Sequence, residues 1–220
     1  MNGIAIINKP SGMTSHDVVD AVRRRLNMRR VGHAGTLDPL ATGVLVILLG
    51  QSTKFFDKFS GFDKAYEATL TLGLTTDTSD IQGKILKNSP YGHVSRKQVE
   101  ETFQKFVGEI EQIPPMVSAI KVKGKRLYQL ARSGLVVERE PRPVKIYSLG
   151  LLEFIPPFVK FFVECSKGMY VRKLGEDVGE LLGCGACISQ IHRTKVGPFL
   201  IENSVALESF DESHIRSWPA

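Results

Sequence analysis

Residues 31–50, VGHAGTLDPLATGVLVILLG, restrict the possible folds of this chain more than any other stretch. Residues 31–43 contain three glycines, and Pro39 disfavours helical backbone angles at the residue before it. We therefore expect a loop there. Residues 44–49 form a continuous apolar run next to glycines at both ends, which is typical of a strand buried on both faces. The pattern predicts a polar loop that is anchored to the middle of a sheet.

Asp38 is the candidate catalytic group of this loop. It is the only acidic residue in the stretch, and its immediate neighbours on both sides are apolar. An ionised carboxylate in apolar surroundings needs a partner, and catalytic groups are common in loops that a rigid scaffold positions. The alternative is that Asp38 merely opens a turn, because Asp before Pro is a frequent turn signal.

Charge and hydropathy narrow the classes of function. The chain has 220 residues, 42% of them hydrophobic, and a formal net charge of +6. This composition is that of a globular protein with either a polyanionic partner or a generic basic surface. No apolar run reaches the roughly 20 residues that a membrane-spanning helix needs. The N-terminus has neither the basic flank nor the long apolar core of a signal peptide, so we expect a cytoplasmic protein.

The cysteines and acidic residues do not suggest a metal site. Three cysteines are too few, and odd in number, for a disulfide framework. Cys184 and Cys187 form a single C-x-x-C, which we interpret as packing residues. Asp77 and Asp80 lie in a polar segment without a converging set of ligands. Because a glycine-rich phosphate loop is also missing from the sequence, we expect neither a metal nor a cofactor.

The spacing of apolar residues predicts an α+β fold, in which strands and helices do not alternate regularly. Thr14 or Ser15 caps a first helix, and Ser95 with Gln98 forms the capping box of another. Residues 66–72 alternate between polar and apolar, as in a half-buried strand. Further strands are predicted over residues 4–8, 144–154, 158–165 and 188–195, and a further helix over residues 171–182.

Two basic segments are candidates for contact with a polyanion. Five arginines at the end of the first helix either contact phosphates or form a solvated face: Arg23, Arg24, Arg25, Arg29 and Arg30. Residues 115–134 combine a helical run over residues 127–131 with the basic residues Lys121, Lys123, Lys125 and Arg126. That combination indicates an insertion that reaches over a ligand, with an ordinary exposed loop as the alternative.

The motif around Asp38, GHAGTLDPLATGVL, resembles the catalytic motif of the tRNA pseudouridine synthases of the TruB type. Four further motifs resemble that family in the same order along the chain: NKPSGMTSHDVV, KAYEATLTLGLTTDTSD, PPMVSAIKVKGKRLYQLARSG and GMYVRKLGEDVGELLGCGA. The resemblance implies a pseudouridine synthase fold, with a mixed, largely antiparallel sheet, flanking helices and a central cleft. It also implies isomerisation of uridine to pseudouridine at position 55, in the T loop of tRNA.

The resemblance further implies how the chain is organised. Residues 1–200 are expected to form the catalytic domain, in which a basic insertion at about residues 114–143 closes over the T loop. Residues 201–220 are then a short C-terminal tail, without the additional RNA-binding domain that many family members carry. We expect the T stem-loop of tRNA as the partner, no protein partner, no membrane association and a monomer.

Three residues match the catalytic positions of the family. The resemblance implies that Asp38 is the nucleophile, that Tyr66 stacks on the target base, and that Arg172 pairs with Asp38 and keeps it ionised. The residue patterns alone leave alternatives. Tyr66 shares one face of its strand with apolar residues, so the alternative is that it is an aromatic residue of the core. Arg172 lies at the start of a helix, where its positive charge opposes the helix dipole and needs a partner. The alternative is therefore a structural ion pair, for example with Glu176.

Five further residues are expected to bind the substrate. His33 matches the histidine that fills the space left by the flipped base, although a histidine that shapes the turn is the alternative. Tyr170 is expected near the same pocket, Ile191 as an apolar wall of it, and Arg193 as the basic residue that follows in the family pattern. Lys9 either binds the substrate or is a buried structural lysine beside the loop.

Two other functions compete with this interpretation. A non-catalytic RNA-binding or tRNA-chaperone module shares the basic charge and the insertion, but it does not need Asp38 to pair with Arg172. A nucleoside hydrolase needs a second acid or base that activates water, and the sequence has none at comparable spacing. His192 departs from the family pattern, and the sequence predicts no role for it.

Overall fold

A computed structural model describes residues 1–116, 121–122, 125–126, 135 and 137–218. The chain forms two compact units. The first unit comprises residues 1–66 and 191–220, and the second comprises residues 67–190. Among the described residues, no helix is long and apolar enough to cross a membrane.

The described residues contain fourteen strands and four α-helices. The strands are β1 Gly3–Lys9, β2 Val31–Ala34, β3 Thr42–Leu49, β4 Lys64–Leu72, β5 Leu74–Thr76, β6 Ile85–Asn88, β7 Gly108–Gln112, β8 Lys121–Val122, β9 Lys125–Arg126, β10 Arg142–Ile155, β11 Phe158–Cys165, β12 Ala186–Val196, β13 Phe199–Leu200 and β14 Val205–Ala206. The helices are α1 Ser15–Arg25, α2 Phe56–Ser60, α3 Arg96–Gln104 and α4 Val171–Leu181. The expected α+β class with mixed, largely antiparallel strand pairing is confirmed.

Strand β3 is the centre of the first unit. Residues 43–49 are all buried, which confirms the predicted strand with two covered faces. Strand β1 pairs antiparallel along one edge of β3, from Gly3 opposite Leu49 to Lys9 opposite Gly43. The other edge of β3 is divided between β12, which pairs in parallel at its start, and β2, which pairs antiparallel further along.

The prediction of a loop over residues 31–43 is wrong at both ends. Residues 42–43 begin β3. The other exception is residues 31–34. They form β2, in which Val31 lies opposite Leu49 and Ala34 lies opposite Val46. The reason is that a buried strand needs hydrogen-bond partners along both edges, and β2 supplies them to β3 despite its glycine and histidine. The loop that carries Asp38 is therefore shorter, residues 35–41.

Helix α1 follows the local signals of its sequence. The hydroxyl oxygen of Thr14 accepts a hydrogen bond from the N–H of Asp17, whose carboxylate accepts one from the N–H of Thr14. This capping box supplies partners for main-chain groups at the start of the helix. Val18, Val19 and Val22 are buried, as predicted from their spacing.

The C-terminal residues contact the rest of the first unit. Strand β14 pairs in parallel with β1. The guanidinium of Arg25 donates to the carbonyl oxygens of Leu207, Glu208 and Phe210, at 2.6, 3.0 and 2.8 Å. The ring of Trp218 lies 5.0 Å from that of Phe59. The boundary expected after residue 200 stays a prediction.

The second unit contains an antiparallel arrangement of β11, β10 and β7, beside β4. Strand β4 alternates between buried and partly buried residues, as predicted. Helix α3 begins at the capping box of Ser95 with Gln98, and its Phe103 packs on Phe161 of β11 with ring centroids 5.5 Å apart. The predicted hairpin-like strands β10 and β11 and the predicted helix α4 are also confirmed.

The basic segment of the second unit is described only in part. Strands β8 and β9 pair as a hairpin, with Lys121 opposite Arg126 and Val122 opposite Lys125. The helical run expected over residues 127–131 lies outside the described residues. The clamp-like insertion therefore stays a prediction.

Candidate active site

The loop of residues 35–41 joins β2 to β3. Gly35 at its start and Gly43, the second residue of β3, have unusual backbone angles. Gly35 has φ +82° and Gly43 has φ +102°, a region that other residues rarely adopt. A Cβ at Gly43 would lie 2.2 Å from the carbonyl oxygen of Arg193, in the neighbouring strand β12. The backbone at this end of the loop therefore requires glycine for two separate reasons.

Arg193 contacts both ends of the loop. Its Nη2 donates to the carbonyl oxygen of Gly35 at 2.8 Å, its Nη1 to that of Thr36 at 3.5 Å, and its Nε to that of Val44 at 2.7 Å. The residue is 1% exposed. A rigid, forked guanidinium is suited to several carbonyls at once. Direct contact of Arg193 with RNA stays a prediction, and the observed contacts indicate that it positions the loop.

Residues 9–15 contact the loop from another side. The N–H of Gly12 donates to the carbonyl oxygen of Pro39 at 2.9 Å. The ammonium of Lys9 donates to the carbonyl oxygens of Met13, Pro10 and Pro39, at 2.6, 2.8 and 3.4 Å. Lys9 is completely buried, which agrees with the structural alternative for this residue. Its expected contact with the substrate stays a prediction.

The pKa of Lys9 is lowered to about 8, first of all because burial disfavours the charged ammonium. The carboxylate of Asp38 acts in the opposite direction, whereas the guanidinium of Arg193 lowers the pKa further. Lys9 and Asp38 therefore interact electrostatically within the first unit.

Asp38 itself is half-buried rather than extended into solvent. Its carbonyl oxygen accepts a hydrogen bond from the N–H of Ala41 at 3.0 Å, so the turn that the sequence suggested is present. A turn at Asp38 and a chemical role for its side chain are compatible, because the turn uses the main chain and leaves the carboxylate for other contacts.

Tyr66, Ile191 and His33 also belong to the first unit. Tyr66 is 8% exposed and lies on the buried face of β4. Ile191 is 5% exposed, and its carbonyl oxygen accepts a hydrogen bond from the hydroxyl of Thr42 at 3.3 Å. His33 is half-buried on β2, opposite Ile47 of β3.

His192, for which the sequence predicted no role, contacts Thr42. Its Nδ1 lies 2.8 Å from the hydroxyl oxygen of Thr42, at the point where β12 pairs with β3. This contact joins the side chains of two paired strands next to Gly43 and Arg193. His192 therefore belongs to the scaffold of the loop.

In the second unit, Tyr170 and Arg172 lie at the start of helix α4. The side-chain amide of Gln112 accepts a hydrogen bond from the N–H of Tyr170 at 2.7 Å and donates one to its carbonyl oxygen at 3.2 Å. Gln112 is 2% exposed. Gln112 is not among the predicted site residues, and the sequence carries no signal that distinguishes it.

Arg172 is 2% exposed, and its Nη1 donates to the carbonyl oxygen of Thr78 at 2.9 Å. The same nitrogen lies 3.7 Å from a carboxylate oxygen of Asp80, which is also buried. Glu176, the acid that the sequence suggested as an alternative partner, accepts a hydrogen bond from Ser79 at 2.7 Å. Asp38 belongs to the other unit, and its pairing with Arg172 stays a prediction.

Potential metal ligands do not cluster in the part of the chain that the structure describes. There, no group of three or more His, Cys, Asp or Glu side chains is arranged to hold a metal ion. Asp80, one of two acids that invited a metal interpretation, instead accepts hydrogen bonds from the hydroxyl of Thr78 and the N–H of Gln82.

Comparisons with known proteins agree on one family. Residues 23–171 match the model of the TruB family pseudouridylate synthase (N terminal domain), and residues 172–217 match that of the tRNA pseudouridylate synthase B C-terminal domain. The chain is 49% identical over 218 residues to tRNA pseudouridine synthase B of Clostridium tetani (strain Massachusetts / E88). That alignment covers 99% of this chain and 75% of the relative.

A second relative and a solved structure also match this chain. Identity to tRNA pseudouridine synthase B of Syntrophotalea carbinolica (strain DSM 2380 / NBRC 103641 / GraBd1) is 48%, over 96% of this chain and 69% of the relative. A chain in the crystal structure of a Cbf5-Nop10-Gar1 complex matches with a TM-score of 0.74 and 31% identity over 94% of this chain. The match spans about half of that longer chain, 52%.

Proposed function

The chain belongs to the TruB family of pseudouridylate synthases, and on that premise we propose that it converts uridine to pseudouridine at position 55, in the T loop of tRNA. The observation that carries the proposal is the half-buried Asp38, in a loop that two separate segments contact, near the buried ammonium of Lys9. A carboxylate in that setting is held in position by the contacts of its loop.

The reaction exchanges one bond to the ribose for another. The bond between N1 of uracil and C1′ breaks, the base rotates, and a bond between C5 and C1′ forms. N1 ends protonated and C5 loses its proton, so the product is an isomer of the substrate. Asp38 supplies the carboxylate that starts the exchange, by attack on the ring or by action at the ribose. The base must leave the RNA stack first, because C5 is not accessible inside folded RNA.

The other expected site residues retain their roles in this proposal. Tyr66 stacks on the flipped base and assists removal of the C5 proton, and Ile191 forms part of an apolar wall that excludes water. His33 occupies the space that the base leaves. Tyr170 contributes to the same pocket, and Arg172 orients the nucleophilic carboxylate.

Lys9 and Arg193 serve substrate binding indirectly in this proposal. Both side chains are buried, and they donate to main-chain carbonyls of the Asp38 loop or, for Lys9, also of residues 9–15. A loop whose carbonyls already have partners does not have to reorganise when RNA binds, which lowers the entropic cost of the reactive geometry.

We further propose that the protein acts on the T stem-loop of tRNA as a monomer in the cytoplasm, without a protein partner. A T stem-loop is a compact, strongly anionic ligand, which agrees with the formal net charge of +6. The partner proteins in the Cbf5-Nop10-Gar1 complex belong to that assembly.

The proposal is tested with T stem-loop RNA that carries tritium at C5 of the target uridine. The wild type is expected to release tritium without free uracil. Asp38→Asn is expected to lose turnover but retain most of its RNA affinity, whereas Asp57→Asn, at an exposed carboxyl of α2, is expected to behave like the wild type. Free uracil would indicate a hydrolase. Tight binding without release of tritium or uracil would indicate a non-catalytic RNA-binding module and would overturn the proposal.

A further inference from the structure

We propose that Ser15 is a positioning residue for Asp38, acting through its hydroxyl on the preceding residue, Leu37. This inference rests on the proposed function, because it assigns a supporting residue to the same reaction. Ser15 is the first residue of helix α1 and lies 22 positions before Leu37 in the chain. It is not part of the predicted set of site residues.

The contact between Ser15 and Leu37 is reciprocal. The hydroxyl oxygen of Ser15 accepts a hydrogen bond from the N–H of Leu37 at 2.8 Å, and the hydroxyl donates to the carbonyl oxygen of Leu37 at 3.1 Å. Ser15 is 2% exposed and Leu37 is 4% exposed. Buried main-chain groups in a loop lack the partners that a strand or helix would supply, so one hydroxyl that serves both groups is structurally important.

The position of Leu37 determines where the carboxylate of Asp38 can lie. On the other side of Asp38, the carbonyl oxygen of Pro39 accepts hydrogen bonds from Gly12 and Lys9. Both chain neighbours of Asp38 are therefore held by residues 9–15. If the hydrogen bonds to Leu37 are removed, the two peptide groups of Leu37 can rotate. Residues 9–15 then hold Asp38 only through Pro39.

The burial of Ser15 separates its role from RNA binding. A side chain with 2% exposure does not contact a ligand, so its loss should not weaken RNA affinity directly. A displacement of about 1 Å at a reacting group can lower a rate by about 100-fold. The inference therefore predicts an effect on kcat with little change in KM.

The chain offers a matched control in the residue next to Ser15. Thr14 caps the same helix through its bond to the N–H of Asp17, but no hydrogen bond from its side chain to the loop is present among the described residues. Thr14→Ala is expected to destabilise the helix, as loss of a capping residue does, without moving Asp38. Ser15→Thr keeps a hydroxyl at the position and serves as the conservative variant.

The experiment measures kcat and KM for release of tritium from C5-labelled T stem-loop RNA. Ser15→Ala is expected to lower kcat by about 10- to 100-fold with KM within about twofold of the wild type. Thr14→Ala is expected to retain the wild-type kcat, and Ser15→Thr to recover at least part of the loss. In the wild type, the amide of Leu37 is expected to exchange slowly with deuterium, because its N–H is bonded to a buried hydroxyl.

Three results would overturn the inference. The first is a kcat for Ser15→Ala equal to that of Thr14→Ala, and the second is an effect confined to KM. The third, which needs no variant and is therefore independent of folding defects, is a Leu37 amide that exchanges as fast as an unprotected peptide. A wild type that releases no tritium would instead contradict the proposed function, so the two failures are distinguishable.

Discussion

A Cβ at Gly43 would lie 2.2 Å from the carbonyl oxygen of Arg193 and 2.8 Å from its main-chain nitrogen. This close approach occurs where β3 and β12 pair in parallel, with Gly43 opposite Arg193. The same approach places the side chain of Arg193 within reach of Gly35 and Val44. The anchoring of the Asp38 loop by Arg193 therefore depends on the pairing of β3 with β12.

Gly43→Ala is expected to destabilise the first unit strongly. The variant combines a clash with main-chain atoms and a φ of +102°, so we expect a loss of more than about 3 kcal/mol in the free energy of unfolding. Gly12→Ala is the control, because Gly12 also has a positive φ, +84°, but nothing lies within 4 Å of its Cβ position. That variant should lose only about 1–2 kcal/mol. Equal losses in urea denaturation would contradict the argument.

Arg193→Lys is expected to lower both stability and turnover. Lysine keeps the positive charge, but a single ammonium does not replace three guanidinium nitrogens that donate in different directions. We expect a loss of about 2–4 kcal/mol in the free energy of unfolding and a lower kcat. Arg25→Lys is the matched control, because Arg25 also donates to three carbonyls, but at the C-terminal segment. An unchanged kcat for Arg193→Lys would show that the loop does not depend on the guanidinium.

The arginines at the end of α1 are expected to contribute unequally to RNA binding. Arg23, Arg25 and Arg30 already donate to protein oxygens. The exposed side chains of Arg24 and Arg29 make no hydrogen bond or ion pair with the described residues, which leaves them available for phosphates.

The double variant Arg24→Gln, Arg29→Gln should therefore bind T stem-loop RNA more weakly, with kcat at saturation unchanged. The salt dependence of its affinity should decrease by up to about two in the slope of log K against log salt concentration. Lys97→Gln with Lys105→Gln removes the same charge at α3 and its C-terminal end, and is the control. An identical slope for both double variants would refute a specific role for Arg24 and Arg29.

The stability of the protein is expected to depend on pH through Lys9. The pKa of Lys9 is about 8 in the folded chain, below the ordinary lysine value of about 10.4. Between these pH values the unfolded chain binds more protons at this residue, so the stability of the folded state increases as the pH rises. The destabilising effect of the buried charge is complete below about pH 7, one unit under the folded pKa.

Lys9→Met provides the reference for this titration. The free energy of unfolding of the wild type, relative to Lys9→Met, should increase between about pH 8 and pH 10, by at most about 1.4 kcal/mol per pH unit. Below about pH 7 the difference should be constant. A difference that does not vary with pH over this range would mean that Lys9 titrates normally.

Elements with local signals could be predicted from the sequence. The apolar run of β3, the alternation in β4, the helix cap at Thr14 or Ser15 and the capping box at Ser95 all correspond to observed elements. Each depends on the burial or the hydrogen bonds of residues a few positions apart, which a sequence displays directly. Strand β2 could not be predicted in this way, because it forms in response to the free edge of β3.

The sequence by itself determined which group is the candidate for catalysis: a single acid in an apolar, glycine-rich loop next to a buried strand, on a basic chain. The tertiary structure alone decided what surrounds that acid. Lys9 and Arg193 are indistinguishable in the sequence from surface cations, and they are buried because distant segments supply carbonyl oxygens as acceptors. Ser15 likewise becomes important because Leu37, 22 residues later, lies against it. Burial of a polar group is favourable only when partners are present, and the fold brings those partners from elsewhere in the chain.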